Sequence, residues 1–518
     1  MDNLSQASLD WTLTHIEKFG DTDIFPIPFE YKAIRHTWNE IRKQLVEVNL
    51  ENYSSNPFRQ FLMPKPNGGF RVAIQLSPID TLIYTAMVYE AAELIEDSRI
   101  NVSEKVACSY RVKLDAKGQL FSNQSGWKDF HEKSETYSSQ ADLSFVVLTD
   151  IADFYNQISH HRVRNALEMA NVSSNRAANI ENFLMELTAR QSRGLPVGPL
   201  ASILLAEATL NDVDMFLLRK GYKFTRYVDD FRIFCNSKRE SIQALHDLSH
   251  YLNASHKLTL ASGKTRIVSI EEFREKYLHD PQKVERRKQT EKISEHIRYL
   301  YNARYNSHVE FDEKELLEDR AFIIENLVDL FEEAISESVI SLGIIRYLLR
   351  RATALDTNQL HESILDNLDK LTPAMRDVVV YFNKTARGKG KKKIGRRLIH
   401  FIETSDYAGL PYVQLWIINL LVEKFSSEFS DELGVVCTNL EKTLGKRPQA
   451  LLAKQNRSLD WMREYREVWQ NTPEWDRRAI IWASTALGND ERKHWLERVK
   501  RSQNDLDTII AKAALGVN

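Results

Sequence analysis

The chain has 518 residues, 43% of them hydrophobic and 27% charged, a globular composition long enough for roughly two to four domains and one that excludes disorder as the default state. Lys and Arg total 70 against 72 Asp and Glu, so no global charge points to a polyanionic partner, and any such signal has to be local. Cys108, Cys235 and Cys437 are scattered without metal-ligand spacing, which argues against a zinc site or a disulfide framework and fits a reducing cytoplasm.

At the amino terminus, MDNLSQASLDWTLTHIEKFG lacks a basic segment followed by an apolar one. The longest apolar stretch, Tyr412 to Val422, is interrupted by Gln414 and Asn419. A cytoplasmic protein without a membrane span is expected. Apolar residues recur at three and four from Thr12 to Lys18 and from Phe29 to Val48 (Trp38, Ile41, Leu45, Val48), which predicts two helices around the turn GDTDIFPIP. Residues 57–270 mix short strand-like runs, Phe145 to Thr149 and Phe231 to Cys235, with helical ones, Asp80 to Glu96 and Leu200 to Arg219. The mixture predicts an α+β domain rather than an alternating βαβ chain. After Glu271 the strand signals nearly vanish, and runs such as RAFIIENLVDLFEEAI and PYVQLWIINLLVEKF carry the helical period. The predicted organisation is a helical extension over 1–50, an α+β domain over 51–270 and an all-α domain over 271–518. Helix pairs of roughly 35 to 45 residues make the last an irregular helical-repeat, HEAT-like array, with a plain bundle as the alternative.

The stretch RYVDDFRIFCN sets Asp229 and Asp230 at the tip of a predicted hairpin. An Asp-Asp pair in a polar turn is commonly only a solvated tip. Upstream, however, SFVVLTDIADFYNQI delivers Asp150 at the end of a buried strand. Two-metal phosphoryl transfer needs carboxylates that bridge divalent ions about 4 Å apart, with Mg²⁺ relieving the repulsion between them. Asp150 and Asp229 are the natural bridging pair. Between them, RGLPVGPLASILLAE bends at Gly194, Pro196 and Gly198 before a helix, a loop that lets a nucleotide lie against backbone or that serves simply as a connector. Lys65 and Arg71 flank the turn Asn67, Gly68, Gly69, where two cations suit a triphosphate or decorate a solvated edge.

In this order, Lys65 and Arg71, DIADFY from Asp150, GLPVGP from Gly194, YVDD from Tyr227 and LTLASGKT with Lys264 resemble the successive fingers and palm motifs of a reverse transcriptase. The resemblance spans residues 61–266. It implies catalytic Asp150, Asp229 and Asp230, a metal held by Asp150, Asp229 and the Ile151 carbonyl, and nucleotide contacts from Lys65, Arg71, Gly198 and Lys264. Tyr155 falls where the family keeps an aromatic gate against a 2′-hydroxyl. The implied cofactor is Mg²⁺, with Mn²⁺ as its substitute, and the implied substrates are dNTPs. Val197 departs from the pattern: retroviral and intron enzymes usually carry Gln there, which puts ordinary templated copying in doubt.

HIEKFGDTDIFPIPFE, VACSYRV, GLPVGPLASILLAEATL and the helical second half resemble the bacterial abortive-infection (Abi) reverse transcriptases, a defence-associated branch. That likeness implies a role against phage and homo-oligomerisation. It leaves open DNA synthesis without a template, on a protein primer, with the product covalently attached. The alternatives are a templated enzyme that copies a dedicated noncoding RNA and a catalytically idle nucleic-acid-binding scaffold. A second local signal is KTARGKGKKKIGRR, whose Lys389, Lys391, Lys392, Lys393, Arg396 and Arg397 either form a solvated face or hold nucleic acid through its phosphates.

Overall fold

A computed structural model describes residues 3–66, 68–122, 126–188, 190–278, 313–501 and 505–516. The described strands are β1 (Arg59–Pro64), β2 (Phe70–Gln75), β3 (Phe145–Asp150), β4 (Lys223–Tyr227), β5 (Asp230–Cys235) and β6 (Arg266–Ser269), and the other regular elements described are helical. Two compact units share the chain. The first comprises Met1–Asp23, Trp38–Arg59 and Ile74–Pro281, and the second Ile24–Thr37, Gln60–Ala73 and Gln282–Asn518.

The first unit is built on a four-stranded sheet of order β4-β5-β3-β6, antiparallel throughout. β3 reads FVVLTD, β-branched and apolar until its last residue, as a strand buried on both faces should. β4 and β5 form a hairpin in which Tyr227 pairs with Asp230, so Val228 and Asp229 are its two-residue turn. On one face Val146, Phe234 and Val268 enter a core with Leu143, Ile270 and Phe273. Strand alternation continues that face through Leu148, Arg232 and Arg266 to Asp150 and Asp230 at its end. Helix Trp127–Ser138 packs against β4 and β5, and helix Lys238–Tyr251 against β3 and β5.

In the second unit every described element from Glu313 onward is helical. Helices Glu313–Ser336, Leu342–Leu355, Met375–Thr385, Pro411–Phe425, Arg447–Asn456, Glu474–Ala483 and Asp505–Gly516 contact one another in turn. A parallel row runs through His361–Asp366, Gly388–Thr404 and Ser430–Asn439. Two rows of successive neighbours make the stack characteristic of helical repeats. Its central helix, Pro411–Phe425, starts on a proline at its first turn and is buried nearly all round, which explains its unusually apolar sequence.

The helix expected over Phe29 to Val48 is two helices, Glu30–His36 and Trp38–Val46, separated at Thr37. Each half is held by different partners. Glu30 is fully buried and accepts two hydrogen bonds from Arg447, at 2.8 and 2.7 Å, with Arg478 3.4 Å away. Burial alone would push its pKa up, yet the two guanidinium groups hold it below the usual carboxylate range. Phe29 stacks on Trp482, and the Arg447 guanidinium lies over Phe29 and Trp475. Beyond Thr37, by contrast, Trp38 and Arg42 both donate to Asp10, at 2.6 Å each. Residues 1–50 are therefore divided between the two units. The expected helix over Leu200 to Arg219 is likewise interrupted, at Leu210.

Replacing Glu30 with Ala leaves Arg447 and Arg478 without their acid in a dry site, and should destabilise the second unit by about 3–5 kcal/mol. Urea denaturation followed by tryptophan emission reads this; a loss under about 1 kcal/mol would mean that the pair is solvated.

Candidate active site

β3 ends in Asp150, which is 6% exposed, and the antiparallel register sets it directly opposite Asp230 at the start of β5. Asp229 occupies the hairpin turn, and its carbonyl accepts from the Ile151 N–H at 3.2 Å, which ties the turn to the end of β3. Ligand oxygens of Asp150, Asp229 and Asp230 lie within 4.8 Å of one another, the single such group of three or more among the described residues. Burial, then the charges of Asp150 and Asp230, push Asp229 up to about 7. Enclosure of its carboxyl by protein and the Asp150 charge push Asp230 up to about 6. These are the marks of a site that carries more negative charge than its own cations neutralise. Lys264 is the one described lysine on the acids, its Nζ donating to Asp150 Oδ2 at 2.6 Å. An all-carboxylate donor set of this kind fits hard divalent cations such as Mg²⁺ or Mn²⁺.

The turn itself is strained. Val228 has φ +56°, a left-handed conformation that costs a β-branched residue on the order of 1–3 kcal/mol. It is held from both sides: the Val228 N–H donates to Ser109 Oγ at 2.8 Å, and its carbonyl accepts from Arg226 Nη1 at 2.7 Å. Arg226 is wholly buried, bound to Asp214 through Nε and Nη2 and to Glu207 through Nη1. Glu207 also accepts from Ser109 and from Arg99, itself a buried cation. Neither Ser109 nor this charge network was singled out from the sequence. The available signal was a lone Glu207 inside the apolar run ILLAEATL.

The Gly-rich loop is suspended from two sides. The Tyr155 carbonyl accepts from Leu195 N–H and the Ile158 carbonyl from Gly194 N–H, both at 2.8 Å, while His160 Nε2 lies 2.8 Å from Gly194 O. On the other side Ile74 N–H donates to Val197 O, and Thr22 bridges to Pro199. Gly198 has φ +138°, and a Cβ there would stand 2.9 Å from Ile74 O, so both conformation and space require glycine.

Of the residues proposed from sequence, the structure brings Asp150, Asp229, Asp230 and Lys264 together. Ile151, Tyr155 and Gly198 are in the same unit. Lys65 and Arg71 are exposed on the β1–β2 hairpin, in a segment assigned to the second unit; Asn67 of that turn lies outside the described residues. The basic run forms a helix, Gly388–Thr404, with Ile394, Leu398 and Ile399 buried. Lys391 pairs with Glu428, Lys393 with Glu362 and Arg397 with Asp366. Lys392 and Arg396 are exposed, and the Lys389 side chain lies outside the described residues.

Residues 63–300 match the family model for reverse transcriptase, described as RNA-dependent DNA polymerase. The chain carries a reverse transcriptase domain. It is thus of the RNA-directed DNA polymerase, nucleotidyltransferase type. A search of curated proteins finds no match. Among solved structures it is similar to telomerase from Candida albicans in complex with a TWJ fragment of telomeric RNA, at 12% identity over 79% of this chain and 70% of that one, TM-score 0.32. Apo telomerase from Candida tropicalis is similar at 11% identity over 74% and 72%, TM-score 0.35. The Candida tropicalis enzyme in complex with a TWJ fragment of telomeric RNA is similar at 10% identity over 77% and 68%, TM-score 0.33. No described helix is long and apolar enough to cross a membrane.

Because Asp229 titrates near 7 when folded against 3.8 as a free carboxyl, its ionisation destabilises the metal-free protein increasingly from about pH 4 and fully above about pH 7. Asp229→Asn should therefore be more stable than the parent in EDTA at pH 8, with the difference gone by about pH 4. Urea denaturation across that range checks the sign; an advantage that grows toward acid would contradict it.

Proposed function

We propose that the chain is a Mg²⁺-dependent DNA polymerase that acts in abortive-infection defence against phage, with Asp150, Asp229 and Asp230 as its catalytic acids. The convergence of these three carboxylates on one point, inside a reverse transcriptase domain, is the observation that carries the polymerase reading. The defence role is supported by the likeness of the palm loop, the SYRV segment and the helical second half to the abortive-infection branch. In domain terms, residues 51–270 serve as fingers and palm and 271–518 as the helical-repeat domain.

Asp150, Asp229 and the Ile151 carbonyl would hold the metal, which when bound lowers the pKa of the attacking hydroxyl and neutralises charge on the transferred phosphoryl group. Lys264, already on Asp150, supplies a cation to the triphosphate. Tyr155 would bound the sugar, as the resemblance implies, where a ring excludes a 2′-hydroxyl. Gly198 lets the base lie against backbone. Lys392 and Arg396 on the basic helix remain available to a nucleic-acid backbone. Val197, in place of the usual Gln, favours synthesis without a template and on a protein hydroxyl, since a tethered primer raises effective concentration where a template contact is lacking. A second reading, templated copying of a dedicated RNA, is favoured by the RNA-dependent activity in the description of the matched family.

Purified protein incubated with Mg²⁺ and labelled dNTPs, with neither template nor primer, separates the two. Label that enters the gel only after protease digestion supports protein priming, whereas label that appears only when primer and template are supplied returns the enzyme to the templated class. In either regime Asp150→Asn should cut incorporation by at least about 10³-fold with the fold intact, because a bridging charge is lost. Activity within a few-fold of the parent would remove Asp150 from the mechanism. Tyr155→Ala should admit ribonucleotides that the parent rejects, read as the ratio of kcat/KM for dNTP and rNTP.

A further inference from the structure

The turn that follows helix Gln6–Phe19 buries an acid outside the catalytic group. Asp21 is 4% exposed, and its carboxylate accepts from the Thr22 N–H through Oδ1 and from Gln75 Nε2 through Oδ2, at 3.0 Å each. The Gln75 side-chain oxygen in turn accepts from Arg59 Nη2 at 2.6 Å. Arg59 opens β1, Gln75 closes β2, and all three side chains belong to the first unit. Burial pushes the Asp21 carboxyl up to about 7, so its ionisation is costly where it stands. A turn alone would be served as well by Asn, which adopts the same conformations without a charge. What an acid adds is two oxygens that can only accept. Because Arg59 can only donate, the Gln75 amide between them has one orientation that satisfies both neighbours.

The residues next to Asp21 and Gln75 hold the palm loop. Thr22 bridges to Pro199, and the Ile74 N–H donates to Val197 O at 2.8 Å. Gly198 lies between those two contacts, where a Cβ built on it would stand 2.9 Å from Ile74 O and 3.1 Å from Thr22 Cγ2. Thr22 and Ile74 thus form the surface on which Gly198 rests, and the hydrogen bond between Asp21 and Gln75 joins the two segments one residue away. We propose that Asp21 is a positioning residue for the incoming nucleotide: through Gln75 it keeps Thr22 and Ile74 closed on Gly198 and so fixes the loop that receives the base. The inference rests on the nucleotide reading of Gly198 and adds what holds that loop in place. The four-stranded sheet that carries the acids includes neither β2 nor the turn. Loss of the bond therefore loosens the loop and leaves the acids where they are.

The test compares the full-length parent with Asp21→Asn, Gln75→Glu and the variant that carries both, at about pH 8, where Asp21 is ionised. Asp21→Asn sets two amide N–H groups against each other and Gln75→Glu sets two carboxylates, so each should raise KM for dTTP about ten-fold with kcat within about two-fold of the parent. The double variant reverses the middle bond. The Asn amide then donates to the Glu carboxylate, Arg59 and the Thr22 N–H keep their acceptors, and KM should return to within about three-fold of the parent. Deuterium exchange of the peptide that carries Ile74 gives a reading that needs no turnover: its N–H should exchange about ten-fold faster in each single variant and at the parental rate in the double. A fall in kcat with KM unchanged, single variants that match the parent in KM and in exchange, or a double variant no better than the worse single would each overturn the proposal. A parent that incorporates no nucleotide would instead defeat the polymerase reading, and the exchange rates would still decide whether Asp21 holds the loop.

Discussion

Arg226 is the residue on which the position of the acids depends. Three carboxylates within 4.8 Å of one another repel, and the turn that carries two of them passes through a left-handed valine. Left to local preferences, neither arrangement persists. The guanidinium of Arg226 reaches from β4 beneath its own hairpin to the Val228 carbonyl, while its other donors are fixed on Asp214 and Glu207. Ser109 completes the clamp, bonded at once to Val228 N–H and to Glu207. Because these groups are buried, each bond is strong and each partner is costly to lose, which makes the clamp stiff.

That stiffness has a chemical use. A site that is to receive divalent cations has to hold its oxygens in place before the cations arrive, and the raised pKa values of Asp229 and Asp230 record the energy stored in doing so. Lys264 offsets part of the charge on Asp150 from solvent, whereas the network around Arg226 acts from inside by geometry and field. The palm loop is held in the same manner, through backbone bonds to Tyr155 and Ile158 on one side and to Ile74 on the other. Both sides of the loop are thus pinned by main-chain contacts that do not depend on side-chain identity.

Helical repeats and the α+β unit share a theme in their buried charges. Glu30 between Arg447 and Arg478 ties the amino-terminal segment into the helical stack, as Glu207 and Asp214 tie Arg226 into the palm. In each case removal of one member would leave an uncompensated ion in a dry place, so these contacts specify arrangement more than they add net stability.

Strand and turn chemistry made much of the site legible in the sequence. FVVLTD is a buried strand ending in an acid, YVDD is a hairpin tip, and GLPVGP needs glycine where φ is positive; each follows from local sterics and from alternation, which act over a few residues. The helical period after Glu271 was equally local. Tertiary structure alone decided the rest. Nothing in the neighbourhood of Glu30 shows that its partner is 417 positions away, or that the helix after the GDTDIFP turn would break at Thr37 because its halves answer to different partners. Likewise Arg226, Asp214 and Glu207 read as ordinary charges until folding buries them together, since the worth of a buried ion lies in its surroundings, and these are assembled from segments that only the fold makes neighbours.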